Sequence, residues 1–189
     1  KNSIHDKISL YSFSWLNGAK VKDGCLQFSN GANFFISFYD EDIIKQIIKT
    51  MLNDPVMFCG MSVVDIRIDE EPNLSQRELF YSASPILIKR RLEDGTIKQY
   101  DYNDSQANQF LKETLLSKMR EARLEEDDSL EISFDTSFAK KKMKLVHYHG
   151  IGNKANLCPV IIKGKTITKL FAWNVGLGNS TGIGFGAIY

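Results

Sequence analysis

The chain has 189 residues, of which 24 are Lys or Arg and 23 are Asp or Glu, so its formal net charge is only +1. Such a balance excludes a uniformly basic protein, and any polyanion-binding surface must come from local clustering of charge. No apolar run approaches the roughly eighteen residues that a membrane helix needs, so we expect no membrane partner. The length allows one large domain or two small ones.

Cysteine usage indicates the compartment. Cys25, Cys59 and Cys158 are odd in number, far apart and without a C-x-x-C pair. This pattern argues against a disulfide framework and against a zinc site, and it predicts a cytoplasmic, reducing environment. No signal peptide is visible. The chain begins at Lys1 without a Met, which leads us to expect further residues upstream.

The first third of the chain predicts strands around one helix. Polar and apolar residues intermix over 8–14 as in a half-buried strand, and the Asn30-Gly31 pair predicts a hairpin between strands 25–28 and 33–39. Asp40 is a suitable N-cap for a helix that ends before Pro55. Residues 56–68 predict a further strand. The apolar face of the helix is formed by Ile43, Ile44, Ile47, Ile48 and Met51.

A polar segment, residues 69–78, predicts a linker before a second unit. A strand from 79 to 91 and a turn at Asp94-Gly95 open that unit. A long helix follows, capped by Asn103 or Asp104 and reaching about Leu124. The remaining predicted elements are strands 129–134, 142–149 and 157–163, a helix at 166–174 and a last strand at 184–189.

The order of these elements predicts an α+β fold of two tandem ferredoxin-like (RRM-like) β-α-β-β-α-β domains. The second domain, 79–189, has the full pattern with an added strand. The first domain, 1–72, has the same pattern but lacks its opening strand and helix in this chain.

A glycine-rich stretch before the last predicted strand is the most unusual local feature. Thr181 stands where a dinucleotide-binding fingerprint would need its third glycine, and no Lys-Ser/Thr pair follows as in a P-loop. From the residues alone, the stretch is either a tight turn or a cradle of backbone N–H groups for phosphate oxygens. Its five glycines are Gly176, Gly178, Gly182, Gly184 and Gly186.

The Gly-hydrophobe-Gly steps of this stretch resemble the C-terminal glycine-rich loop of the RAMP superfamily, and within it the CRISPR-associated endoribonucleases that cut precursor CRISPR RNA within repeats. Ser84-Pro85-Ile86 before a long helix, and the strand 10–14 preceded by His5, support this resemblance. It implies two ferredoxin-like domains, CRISPR repeat RNA as partner and no cofactor. Other CRISPR effector subunits or a second copy of the chain are further possible partners.

The resemblance also implies catalytic residues. His5 matches the family's histidine, and Lys7 is the nearest basic residue, although the spacing from His5 to the strand is short. A His titrates in the range that general acid-base cleavage of RNA requires, and a Lys can stabilise the phosphorane charge. His147 and His149 are alternative catalytic candidates. As a metal pair they lack a third ligand, so we expect no metal site.

Basic clusters predict either a solvated surface or a track for RNA phosphates. Lys89 and Arg90 end the first strand of the second unit, and Lys163, Lys165 and Lys169 flank its last helix. The densest cluster is Lys140, Lys141, Lys142 and Lys144. Together with the five glycines, this cluster, Lys89 and Arg90 form the predicted RNA-binding set.

Three functions therefore compete. The first is a metal-independent endoribonuclease that leaves 2′,3′-cyclic phosphate and 5′-OH ends. The second is a non-catalytic RAMP subunit that binds and holds guide RNA in an effector complex. The third is a ferredoxin-like protein with no RNA function, which the small net charge permits.

Overall fold

The computed structural model describes residues 8–189, so His5 and Lys7 lie outside the described residues. The protein is α+β, as predicted. Within the described residues, no helix is long and apolar enough to cross a membrane. The N-terminal unit contains β1 (Tyr11–Phe13), β2 (Lys20–Lys22), β3 (Cys25–Gln27), β4 (Ile36–Phe38) and α1 (Glu41–Asn53).

The predicted hairpin across Asn30-Gly31 is wrong. β3 pairs with β2 instead, and β4 pairs with β1 in the register Tyr11↔Phe38. The reason is a second turn signal, Asp23-Gly24, whose φ values of 51° and 73° are those of a tight two-residue hairpin turn. The chain turns there first, which leaves β4 free to reach β1.

Helix α1 begins where predicted, since the Asp40 carboxylate accepts a hydrogen bond from the Asp42 N–H at 2.9 Å. None of its residues is fully buried. The strand predicted at 56–68 is wrong: the chain makes a 3-10 turn at Phe58–Gly60, and Val56 and Ser62 form only an isolated bridge. Cys59 and Gly60 have φ values of 54° and 75°, which reverse the chain and interrupt the extended run.

The C-terminal unit has more regular structure. Its two helices and seven strands are β5 (Leu79–Phe80), β6 (Ile88–Arg91), β7 (Ile97–Tyr100), α2 (Ala107–Glu121), β8 (Glu131–Phe134), β9 (Lys142–Tyr148), β10 (Ile151–Leu157), β11 (Val160–Lys163) and α3 (Thr166–Val175).

The main sheet has the strand order of a ferredoxin-like fold. β11 lies between β5 and β8, antiparallel to both. The last residues of the chain join the other edge of β5, where Tyr81 and Tyr189 exchange backbone hydrogen bonds of 2.9 and 3.0 Å. β6–β7 and β9–β10 are antiparallel hairpins inserted between the elements of this sheet.

Prolines explain why two predicted strands are divided. The strand predicted at 79–91 separates into β5 and β6 around Pro85, and the one at 157–163 is interrupted at Pro159 between β10 and β11. Proline lacks the N–H that a strand ladder needs. The cap of α2 also differs from the prediction, because the Asp104 carboxylate accepts from the Asp101 N–H at 2.6 Å and the helix begins after Gln106. The prediction for α3 is confirmed.

One continuous core fills the space between this sheet and the two helices. Apolar residues of β5, β8 and β11 meet those of α2 and α3, and burial of such side chains drives the folding of this unit. The largest fully buried members include Phe80, Leu111, Leu115, Ile162 and Phe171.

The N-terminal unit rests on α3 and on the glycine-rich stretch. The Ser12 hydroxyl donates to the Asn174 carbonyl at 3.2 Å, and the Ser37 hydroxyl donates to Asn174 Oδ1 at 2.6 Å. The Trp15 indole N–H donates to the Gly184 carbonyl at 2.9 Å. Strand β1 is thereby held beside the glycine-rich loop.

Candidate nucleic-acid interface

The glycine-rich loop, residues 176–186, is tied to its surroundings by its backbone. Its two arms pair where the Leu177 N–H donates to the Gly186 carbonyl at 2.8 Å. The Asn179 N–H donates to the Leu87 carbonyl at 2.7 Å, and the Gly186 N–H donates to Pro85 at 2.9 Å. The loop therefore docks on the segment that joins β5 to β6.

Close backbone packing explains the glycines at 176, 178 and 186. A Cβ on Gly176 would lie 2.7 Å from the Gly186 carbonyl oxygen, and its φ is +68°. A Cβ on Gly178 would overlap the Leu87 carbonyl, and one on Gly186 would overlap that of Leu177. Only glycine fits at these three buried positions.

Gly182 and Gly184 face the N-terminal unit. A Cβ on Gly182 would lie 2.9 Å from the Tyr11 hydroxyl, and a Cβ on Gly184 would lie 3.1 Å from the Phe13 ring. These two glycines let β1 approach the loop. Direct contact of the five loop glycines with RNA stays a prediction.

A cavity of about 730 Å³ opens beside the loop. One wall is formed by loop residues 178–181, and the opposite wall by the last two turns of α2. Arg90 of β6 lies along it, and Ile8 and Ser9, which lead into β1, complete the lining. The cavity thus lies where both units and the loop meet.

Positive charge dominates this lining. Arg90 and Arg120 contribute two permanent positive charges, and the amine of Lys118 contributes a third when it is protonated, against the single carboxylate of Glu113. The Arg90 guanidinium is held by the Phe110 carbonyl at 3.0 Å and by Glu113 at 3.4 Å. A concave site with such an excess of one charge attracts the opposite charge, here an anion.

The two cations that α2 contributes to the lining differ in exposure: Arg120 is exposed and Lys118 is buried. The Arg120 side chain is 57% exposed and pairs with Glu126 at 2.6 Å. Lys118 is only 3% exposed, and burial lowers the pKa of its ammonium to about 7. Its Nζ donates to the carbonyls of Val175 and Gly176 at 2.9 and 3.0 Å and to Thr181 Oγ1 at 3.2 Å.

Neither Lys118 nor Arg120 belongs to the predicted RNA-binding set. A signal for Lys118 does exist in the sequence, because it follows Leu111 by seven positions and Leu115 by three, on the apolar face of α2. A lysine at such a position lays its methylene stem along the core, and its ammonium either reaches water or is buried with a partner. For Arg120, nothing in the sequence distinguishes it from any exposed helical arginine.

The predicted lysine cluster, on and before β9, is not part of the cavity lining. Lys140, Lys142 and Lys144 are exposed, and Lys141 is half-buried. The Lys144 ammonium lies 4.4 Å from the centre of the Trp15 ring, a cation–π contact that joins the hairpin to the N-terminal unit. These positions leave the cluster accessible to an RNA backbone.

Two other predicted basic residues contribute to packing in different ways. At Lys89 it is the backbone N–H, and not the ammonium, that donates to Asn179 Oδ1 at 2.8 Å and links β6 to the glycine-rich loop. The interpretation of Lys169 as a surface cation is wrong: it is 3% exposed, and its ammonium donates to the carbonyls of Ser75 and Arg77 at 3.0 Å each. Lys169 therefore fastens the linker to α3.

The two described histidines do not share a strand face as expected. His147 lies in β9, whereas His149 lies in the turn that follows, with φ of 47° beside Gly150 at 76°. Both are exposed. Among residues 8–189, no group of three His, Cys, Asp or Glu side chains could hold a metal ion.

The strand order of the C-terminal unit is that of a ferredoxin-like domain, and this domain carries a cationic cavity beside a glycine-rich loop. The family model for the C-terminal part of CRISPR associated protein Cas6 matches residues 69–189, which is more than half of the chain. The chain belongs to this Cas6 family, and the predicted RAMP-superfamily membership is confirmed. No curated protein matches the chain.

Solved structures confirm the tandem ferredoxin-like fold. A structure described as CRISPR associated protein Cas6 has a TM-score of 0.80 at 22% identity, with 98% of this chain and 80% of that chain covered. A Cas6-related protein from Pyrococcus furiosus has a TM-score of 0.79 at 21% identity, covering 100% and 79%. A third, described as a RAMP protein binding different RNA substrates, has a TM-score of 0.81 at 21% identity, covering 99% and 80%.

Proposed function

We propose that the chain is a metal-independent endoribonuclease that cuts precursor CRISPR RNA within its repeats and leaves 2′,3′-cyclic phosphate and 5′-OH ends. Family membership supports a role in CRISPR RNA processing or binding. One similar structure is described as a RAMP protein that binds RNA, which is consistent with RNA as the ligand here. The cationic cavity is where we expect the cleaved phosphate to bind.

The observation that carries this proposal is the position of Ile8 and Ser9 in the cavity lining. Lys7 directly precedes Ile8 in the chain, and His5 precedes it by three positions. Because Ile8 and Ser9 follow these two residues directly in the chain and line the cavity, their position supports His5 and Lys7 as the proposed catalytic residues.

The proposed reaction needs no co-reactant. The neutral His5 imidazole takes the proton from the ribose 2′-OH, and the 2′-oxygen bonds to the phosphorus. The bond from phosphorus to the 5′-oxygen breaks, and the His5 imidazolium gives its proton to the 5′-oxygen, which forms the 5′-OH end and restores the neutral imidazole. Lys7 and the cavity cations Arg90 and Arg120 offset the negative charge of the phosphorane.

Single-turnover cleavage of repeat RNA in EDTA tests the proposal. We expect the wild-type chain to cut, and a 2′-deoxy substitution at the cleaved nucleotide to abolish cutting without loss of binding. His5→Ala should slow the reaction by about 10²–10⁴-fold with RNA affinity nearly unchanged. Lys7→Ala should slow it less. His147→Ala serves as the matched control and should cut at the wild-type rate.

The outcomes separate the competing functions. Wild-type rates for His5→Ala together with slow cutting by His147→Ala or His149→Ala would move the catalytic role to the β9–β10 turn. Binding of repeat RNA with no cutting would identify a guide-RNA-holding subunit instead. If the chain neither binds nor cuts repeat RNA, that result would contradict an RNA function altogether.

A further inference from the structure

Lys118 connects α2 to two separate parts of the glycine-rich loop. Two of its three acceptors, the carbonyls of Val175 and Gly176, lie where α3 ends and the loop begins. The third, the Thr181 hydroxyl, lies beyond the turn of the loop, five residues after Gly176. An ammonium has three N–H donors, so every donor of Lys118 is used for this purpose.

Holding a loop with a fully buried ammonium among neutral acceptors has a large desolvation cost in folding free energy. Removal of a charge from water disfavours folding, and an apolar side chain of similar volume is often the more stable choice. The loop offers no compensating charge, since residues 175–188 contain no ionisable side chain. This suggests that the charge at position 118 serves something besides stability.

The other charged groups facing the cavity are already paired. Arg90 and Glu113 lie 3.4 Å apart, and Arg120 pairs with Glu126 at 2.6 Å. The nearest ionisable side chain on β1 is Tyr11, whose hydroxyl donates to the Gly182 carbonyl at 3.4 Å. Among the described residues, Lys118 is thus the cation of the lining that has no carboxylate partner.

We propose that Lys118 is a positioning residue that holds both arms of the glycine-rich loop against α2, so that the loop wall and the cavity arginines enclose an RNA phosphate together. This inference rests on the proposed function, because it takes RNA as the ligand of the cavity. The positive charge of Lys118 also attracts the bound anion. Its Nζ lies 3.2 Å from the hydroxyl of Thr181, a residue that lines the cavity.

A linkage between RNA binding and protonation follows. A bound phosphate favours the charged form of a neighbouring amine and so raises its pKa. Because burial holds the pKa of Lys118 at about 7 in the free protein, binding at pH 8 should take up a proton. Affinity should then fall as the pH rises above 7, by at most about tenfold per pH unit. A residue that only packs would give no such dependence.

The test uses the whole chain and repeat RNA carrying 2′-deoxy at the cleaved nucleotide, or unmodified RNA if none is cut. Calorimetry at pH 8 in buffers of different ionisation enthalpy counts the protons taken up. We expect uptake in wild type and in Lys112→Met, the control on the same helix. Lys118→Met should take up fewer protons than wild type and bind about ten- to a hundredfold more weakly. A folded Lys118→Met that binds within twofold, with the wild-type pH dependence, overturns the inference.

Two further measurements decide the remaining cases. If Lys118→Met does not fold, proton uptake is measured for wild type and for Thr181→Val. Wild-type binding without proton uptake overturns the inference. Proton uptake in wild type that is smaller in Thr181→Val supports it. If wild type binds no RNA, the proposed function fails, and inorganic phosphate becomes the probe. A shift of the Thr181 amide NMR signal in wild type but not in Lys118→Met then supports a positioning role, whereas equal or absent shifts in both overturn it.

Discussion

The two ferredoxin-like units differ sharply in how they are stabilised. The buried apolar residues described in this chain all lie at Leu74 or beyond, and in the N-terminal unit only the polar Ser12, Ser14 and Ser37 are buried. Two of these serines bond to Asn174 of α3. The C-terminal unit therefore has its own core, while the described N-terminal unit is held by its contacts with that core and with the glycine-rich loop.

The glycine-rich loop therefore has two structural roles. Glycines 176, 178 and 186 allow close backbone packing within the C-terminal unit, and glycines 182 and 184 allow β1 to pack against the loop. Since β1 continues from Ile8 and Ser9, docking of β1 also shapes the cavity. Changes in the C-terminal unit should therefore affect stability and the site together, and changes in α1 should affect neither strongly.

The largest expected effect comes from Gly186→Val. The Cβ of a valine at position 186 would overlap the Leu177 carbonyl, and the φ of +72° at this position disfavours a β-branched residue. We therefore expect loss of cooperative folding, measured by urea denaturation. Gly24→Ala is the matched control in the N-terminal unit, because its φ of +73° is similar but no atom lies within 4 Å of the new Cβ. That variant should lose only about 1–2 kcal/mol. A well-folded Gly186→Val would refute the packing argument.

Next in size is a pair of truncations that compares the two units directly. Leu111 is fully buried in α2, whereas Ile47 of α1 is half-exposed. Leu111→Ala should lower the unfolding free energy by about 2–5 kcal/mol. Ile47→Ala should lower it by about 1 kcal/mol, in proportion to its smaller burial. Equal losses at the two sites would mean that α1 has a better core than its exposure indicates.

A pH series sharpens the comparison at Lys118. Burial lowers the pKa of Lys118 to about 7 in the folded protein, while the ordinary value is 10.5. Between these values the unfolded chain binds the extra proton, so the unfolding free energy should rise with pH. Relative to Lys118→Met, the rise should reach at most about 1.4 kcal/mol per pH unit. Urea curves at pH 7, 8 and 9 measure it, and parallel pH profiles for the two proteins would contradict it.

The sequence predicted correctly those elements whose signals lie within a few residues of one another. The helices α1 and α3 and the β6–β7 turn follow from caps, spacing and Gly95, all of which act within a few residues. The predicted Asn30-Gly31 hairpin was wrong because the Asp23-Gly24 turn pairs β3 with β2, and β4 then pairs with β1 rather than with its neighbour in the chain. Long-range pairing leaves no trace in a short window of sequence.

The site shows the same limit. The glycine-rich loop was recognisable from composition, but its packing against Leu87 and Phe13 depends on contacts across the fold. Arg120 lines the cavity together with loop residues that lie about sixty positions later in the chain, a proximity that only the fold produces. Lys118 could have been recognised from its position on the apolar face of α2.

The smallest expected effect concerns the exposed lysines of β9. If Lys142 and Lys144 contact RNA phosphates, each alanine variant should reduce the slope of log affinity against log salt by about 0.7–0.9. Lys45→Ala, an exposed lysine of α1 paired with Glu41 at 3.2 Å, is the control and should leave the slope unchanged. Equal slopes for all three variants and wild type would make the β9 lysines a solvated surface.

Photocrosslinking tests the central claim, that RNA is bound at the cavity between the glycine-rich loop and α2. Repeat RNA with 4-thiouridine beside the cleaved phosphate is irradiated with the protein, and the attached peptides are identified by mass spectrometry. We expect attachment within residues 178–181 or 113–120, which line the cavity. Attachment confined to residues 140–149 of the β9 region would contradict it.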